Sequence, residues 1–195
     1  MEFQFSGLRF KLVGEKLMLI QCGCNVNANT PYKETKCDFA SVHVLGEFTP
    51  THFGNKLVET SEEIRMKYVS HEIDGNRLCV TQKTEFVEIT TYFESYDETN
   101  AIRVSTEVKN ISDKEITLES VSAFRFAGLG GGIEETKNTY LYRFYQSHHA
   151  ECQPRRQSLF DLGMFDANPV SQKRVFGANI GSWSTKEELP QGIIE

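Results

Sequence analysis

Residues 102–109 sort their side chains strictly by parity. Ile102, Val104, Thr106 and Val108 fall on one side, and Arg103, Ser105, Glu107 and Lys109 on the other. Only an extended strand with one wet face produces that period. The stretch before it repeats the pattern, with Val87, Ile89, Thr91 and Phe93 set against Glu88, Thr90, Tyr92 and Glu94, and Ile116 and Leu118 begin a strand after it. Turn chemistry separates the runs: Asp74-Gly75 suits a tight hairpin that needs a positive φ, and residues 110–114 supply a polar Asn and Asp turn. From residue 64 onward the chain therefore reads as consecutive antiparallel strands.

The first 21 residues read as a three-strand meander at 3–5, 8–13 and 16–21. Residues 25–40, with Asn25, Asn27, Asn29 and Pro31, read as an irregular excursion. No stretch carries an amphipathic helical stripe of a dozen residues. Capping-box spacing predicts two short helical turns, from Thr60 to Glu63 and from Ser184 to Glu187 before Pro190. The segment 151–172, with Pro154, Gly163 and Pro169, breaks the strand rhythm and reads as a long loop, a kind that commonly carries function. About a dozen short strands exceed an immunoglobulin-type sandwich. The expectation is all-β, a large antiparallel β-sandwich formed as one domain over 1–195. Its 14 Phe and 7 Tyr against 1 Trp predict an aromatic sheet core.

A net charge of −6 argues against nucleic acid and anionic membranes as partners, since neither polyanion is drawn to an acidic surface without a basic stripe. The adjacent basic pair Arg155-Arg156 is no such stripe. The N-terminus lacks the basic and apolar regions of a secretory signal, and no apolar run approaches the ~20 residues that span a bilayer. The chain thus reads as cytoplasmic. Five cysteines, Cys22, Cys24, Cys37, Cys79 and Cys152, then read as free thiols rather than a disulfide framework.

Chemical motifs are sparse. Cys22-Gly23-Cys24 with Cys37 offers three thiolates, but the spacing fits no common zinc site and buried apolar thiols explain it equally. In a strand the adjacent His148 and His149 would face opposite ways. The glycines of 128–132 lack the Gly-Lys-Ser/Thr ending of a phosphate loop and no helix pattern follows them, so they read as a hairpin loop. Glu62-Glu63, Glu134-Glu135 and Glu187-Glu188 are consecutive carboxylates in polar surroundings, not an acid–base pair. No metal, cofactor or catalytic residue is expected. Two features remain, the polar and aromatic stretch 47–55 and Trp183 in Gly181-Ser182-Trp183-Ser184. Aromatic rings beside hydrogen-bonding groups stack on sugar rings, and the same composition suits an ordinary loop or a subunit contact.

Four blocks, in order, resemble the N-terminal domain of α-galactosidases of glycoside hydrolase family 36. They are Tyr68-Val69-Ser70-His71-Glu72-Ile73; Val104, Thr106, Val108, Asn110 and Ser112 at alternate positions; Glu151, Gln153, Pro154, Arg156 and Leu159; and Trp183 in its Gly-Ser-Trp-Ser setting. The likeness spans most of 41–195. It implies a supersandwich of galactose-mutarotase-like architecture, the N-terminal part of a longer enzyme. In such an enzyme a (β/α)₈ barrel, absent here, holds the two aspartates that hydrolyse terminal α-galactosides with retention.

The implied partners are that barrel in the same chain, further copies in a homo-oligomer, and the α-galactoside bound by the parent. Glu47, Thr49, His52, Phe53 and Trp183 then stand as substrate-wall or subunit-contact residues, and Gln153, Arg155 and Arg156 as a structural loop. The sequence departs from better-known members in lacking their Asp-Phe-Arg-type triplet near 47–55, and His148-His149 stands where many have a Trp. The alternative is a free-standing carbohydrate-binding or structural interaction module.

Overall fold

Two loops of two residues each set the first strands and their registers. β1 (Glu2–Phe5) turns through Ser6-Gly7 into β2 (Leu8–Val13), with both loop residues at positive φ, and Gly14-Glu15 leads on into β3 (Lys16–Cys22). Such loops match the right-handed strand twist. The three strands form a sheet in the order β1-β2-β3. A computed structural model describes these elements together with the rest of residues 1–22, 39–46, 65–96, 99, 101–125, 133–147, 150–163 and 192–194.

After β4 (Ser41–Val44) comes a four-stranded meander of β5 (Lys67–Asp74), β6 (Arg77–Lys83), β7 (Val87–Tyr96) and β8 (Ala101–Asn110). Its turns follow the side-chain chemistry. Gly75, at φ +55°, opens the β5–β6 loop. Thr84 Oγ1 accepts the backbone N–H groups of Phe86 and Val87 between β6 and β7. Asn110 Oδ1 accepts from the N–H and hydroxyl of Ser112 after β8. These side-chain oxygens replace backbone partners that a tight turn withholds. β9 (Leu118–Ser122) pairs with β4, and the chain begins this strand two residues after Ile116.

The meander has one dry face and one wet face. Val87, Ile89, Thr91 and Phe93 of β7 and Leu78, Val80 and Gln82 of β6 are buried. The first sheet packs on this side: Phe10 of β2 makes edge-on contacts with Phe93 and Phe39, 5.5 and 5.6 Å between centroids. Val42 and Val44 of β4 and Met66 complete the same core. Full burial of an aromatic ring contributes about 2–3 kcal/mol, so this cluster dominates the stability of the region. Phe39 comes from the stretch expected to be irregular, yet it is 1% exposed.

The chain divides into two compact units, Met1–Gly128 and Leu129–Glu195. In the second, α1 (Ile133–Asn138) precedes β10 (Tyr140–Ser147) and β11 (Ala150–Ser158), and β12 (Gly192–Ile194) completes a sheet in the order β11-β10-β12. Helix α1 corrects the reading that no helix follows the glycines. Six residues are too few to show a stripe, and the helix is held by Lys137 Nζ donating to Glu134 Oε1 at 2.5 Å and by Thr139 Oγ1 donating to the Glu135 carbonyl. The loop expected over 151–172 is likewise corrected at its start, because β11 runs as a strand through Pro154. A proline fits there because, among the described residues, β11 is the outer strand of its sheet, where no neighbour needs its missing N–H.

All described strand pairs are antiparallel, so the chain is all-β as expected. Among the described residues no helix is long and apolar enough to cross a membrane.

Candidate functional site

The first block of the resemblance lies on β5, at the edge of the four-stranded sheet. Tyr68 and His71 stand opposite Gln82 and Val80 and so point toward the core side. The Tyr68 hydroxyl and His71 Nδ1 are 2.7 Å apart, and the Phe3 ring lies flat against the imidazole. Partial burial pushes the Tyr68 phenol above its ordinary value, against the opposing effect of the His71 backbone. Lys67 pairs with Glu15 from the β2–β3 turn at 2.8 Å, and the Tyr68 N–H donates to the Glu15 carbonyl. One end of β5 is thus fastened to the first sheet by an aromatic stack, an ion pair and a backbone bond.

The second block is the wet-faced strand β8 and its turn. Across the four strands the outer face carries a row of alternating charge, Asp74, Arg77, Glu94 and Arg103, each opposite the next in register. Opposite charges at facing positions each contribute a few tenths of a kcal/mol to about 1 kcal/mol. Behind that row, Tyr92 receives the Arg77 guanidinium over its ring at 4.5 Å and donates its hydroxyl to Glu107 at 3.3 Å. Burial, then the Glu107 carboxylate, pushes the Tyr92 phenol upward. Cys79, opposite Tyr92, is a free thiol raised by burial first and by Glu72 later in order, with Arg77 opposing. A raised thiol is a weak nucleophile at neutral pH. The alternation assigns all these residues to the outer face, but nothing in the sequence places Arg77 over Tyr92.

The third block lies on β11. Arg156 stands opposite Tyr142, with its guanidinium carbon 3.3 Å from the Tyr140 ring centroid. Arg155 points to the other face opposite Arg143, whose Nη2 donates to Gln157 Oε1 at 2.8 Å. Gln153 is a strand residue opposite Tyr145. The residues expected in a structural loop therefore belong to a sheet, and Leu159, just beyond it, is buried.

Glu47, Thr49, His52, Phe53 and Trp183 lie outside the described residues, as do Cys24, Cys37, His148, His149 and the helical turns expected near 60–63 and 184–187. Among the described residues no three His, Cys, Asp or Glu side chains converge as a metal ion would require.

Compared with protein-family models, with curated proteins and with solved structures, the chain finds no match in any of the three.

Proposed function

We propose that this chain is the non-catalytic N-terminal β-sandwich of an α-galactosidase-type glycoside hydrolase, supporting a catalytic barrel and subunit assembly in the parent enzyme. The observation that carries this reading is the order of the four blocks, three of which fall on regular elements of an all-β fold: β5, β8 with its turn, and β11. A scaffold role asks little of any single side chain and much of rigid sheets. The fastening of β5 to the first sheet and the aromatic core beneath it supply that rigidity.

The test is hydrolysis of an aryl α-galactoside by the chain alone and by the full open reading frame that encodes it. Activity in the parent and none in the chain alone is the expected result. Turnover by the chain alone, or a parent frame without a barrel, overturns the proposal.

A further inference from the structure

The outer face of the β5–β8 sheet is a grid of polar side chains set by the register of its four strands. Its first row, Asp74, Arg77, Glu94 and Arg103, alternates in sign from β5 to β8. Its last row is Lys67, Lys83, Glu88 and Lys109. Between them Glu72 and Ser105 occupy the two ends of one row, and Ser70 and Glu107 the ends of the next. All of these residues are exposed or half-buried. Among the described residues, the side-chain contacts on this face are Arg77 over Tyr92, Tyr92 to Glu107 and Lys67 to Glu15. The other charges of the first and last rows therefore point outward without an ion-pair partner among the described residues.

Two copies laid face to face relate by a two-fold axis in the plane between them, and the charges discriminate between the two settings of that axis. With the axis along the strands, β5 lies over β8 of the second copy and β6 over its β7. Asp74 then meets Arg103 and Arg77 meets Glu94, each contact made twice, and in the last row Lys83 meets Glu88. In the middle rows Glu72 meets Ser105 and Glu107 meets Ser70, carboxylate against hydroxyl. The like-charge contact in this setting is Lys67 on Lys109, and Lys67 already has Glu15 at 2.8 Å. With the axis across the strands, the first row falls on the last, so Arg77 meets Lys83, Glu94 meets Glu88 and Arg103 meets Lys109, all repulsive.

We propose that the outer face of the β5–β8 sheet is a self-association surface, pairing two copies of this chain about a two-fold axis parallel to the strands. Stacked sheets lie about 10 Å apart with their strands within about 30° of each other, a gap that facing Arg, Lys and Glu side chains bridge. Four strands about 4.8 Å apart and about 27 Å long offer roughly 500 Å² from each copy. That is the low end for protein–protein contacts, so the pair is transient, held by charge, with a Kd on the order of 0.1 mM. This face rests on the reading above only for subunit assembly, to which it gives a surface and a symmetry. Its test uses no substrate, so pairing and hydrolysis can fail independently.

Sedimentation equilibrium of the full chain tests this. A monomer–dimer exchange is expected at about 20 mM sodium chloride, weakened about tenfold or more at about 500 mM, because exposed pairs are screened. Arg77→Glu and Glu94→Arg each set like charges against each other at both copies of the central contact, on the two middle strands where sheet twist displaces facing positions least. Each variant alone should be monomeric.

Mixed in equal amounts, the two variants complement each other across the axis and should form a heterodimer, which a misfolded variant could not do. The double variant Arg77→Glu with Glu94→Arg, which exchanges the two charges within one chain, should likewise regain the dimer. A chain that stays monomeric up to about 1 mM, a dimer untouched by either single variant, or no recovery on mixing overturns the proposal.

Discussion

The ring of Phe3 lies flat on the imidazole of His71, 3.9 Å between centroids and 2° from parallel. Phe3 also stacks on Phe10 at 5.0 Å, which in turn meets Phe93. One side chain near the N-terminus thereby joins the outermost strand of the first sheet to the edge of the second. Truncation by Phe3→Ala should lower stability by about 2–3 kcal/mol, less than for a fully buried ring because Phe3 is only partly covered. Urea unfolding followed by circular dichroism measures this, and His71→Ala should recover little of the loss.

Gln82 is 2% exposed, and its Nε2 finds no hydrogen-bond partner among the described residues. A buried donor left unmade costs about 1–3 kcal/mol. Gln82→Met keeps the length of the side chain and removes the amide, so it should raise the urea midpoint by the equivalent of about 1 kcal/mol. A fall in the midpoint would mean that the amide is satisfied.

Alkaline pH should loosen the first unit. The Tyr68 and Tyr92 phenols lie above their ordinary 10.0 and the Cys79 thiol above its ordinary 9.0, each by burial first. A raised acid favours its neutral form in the folded state. Its contribution is complete below the unfolded value and is lost as pH rises through the folded one. Urea midpoints should therefore hold level to about pH 9 as far as these groups are concerned, then fall progressively, through pH 10 and beyond. Tyr68→Phe should flatten the part of the fall above pH 10, and Cys79→Ala the part that begins near pH 9.

Ser6 holds φ +42° in the β1–β2 loop, a region that favours glycine. Ser6→Gly should stabilise by up to about 1 kcal/mol, and Gly75→Ala, at φ +55°, should destabilise by a similar amount. Thermal melts of the two variants should move in opposite directions.

Period-two alternation made β7 and β8 legible residue by residue. The members of β7 read as inward are the buried ones, and those of β8 are half-buried against exposed partners, as a strand wetted on one face requires. The first three strands were legible because glycine-containing loops punctuate them at two-residue spacing. Phe39 was not, since its burial comes from sheets distant in sequence and leaves no local period. Helix α1 is too short to carry one. Pro154 argued for a loop because sequence does not distinguish an edge strand, where it is tolerated, from a central one. The stacking of Phe3 on His71, the placing of Arg77 over Tyr92 and the facing of Arg143 with Arg155 all depend on register, which cross-strand pairing decides.

That proline has a consequence for how copies of the protein meet. Among the described residues β10 pairs with one side of β11 and no strand pairs with the other, and Pro154, midway along the strand, has no N–H to donate to a newcomer. A foreign strand approaching that edge would find the run of donors interrupted, with charged Arg155 and Arg156 directly after the gap. The second unit thus carries a stop against runaway sheet growth, which disfavours fibres while leaving the sheet faces open to specific neighbours.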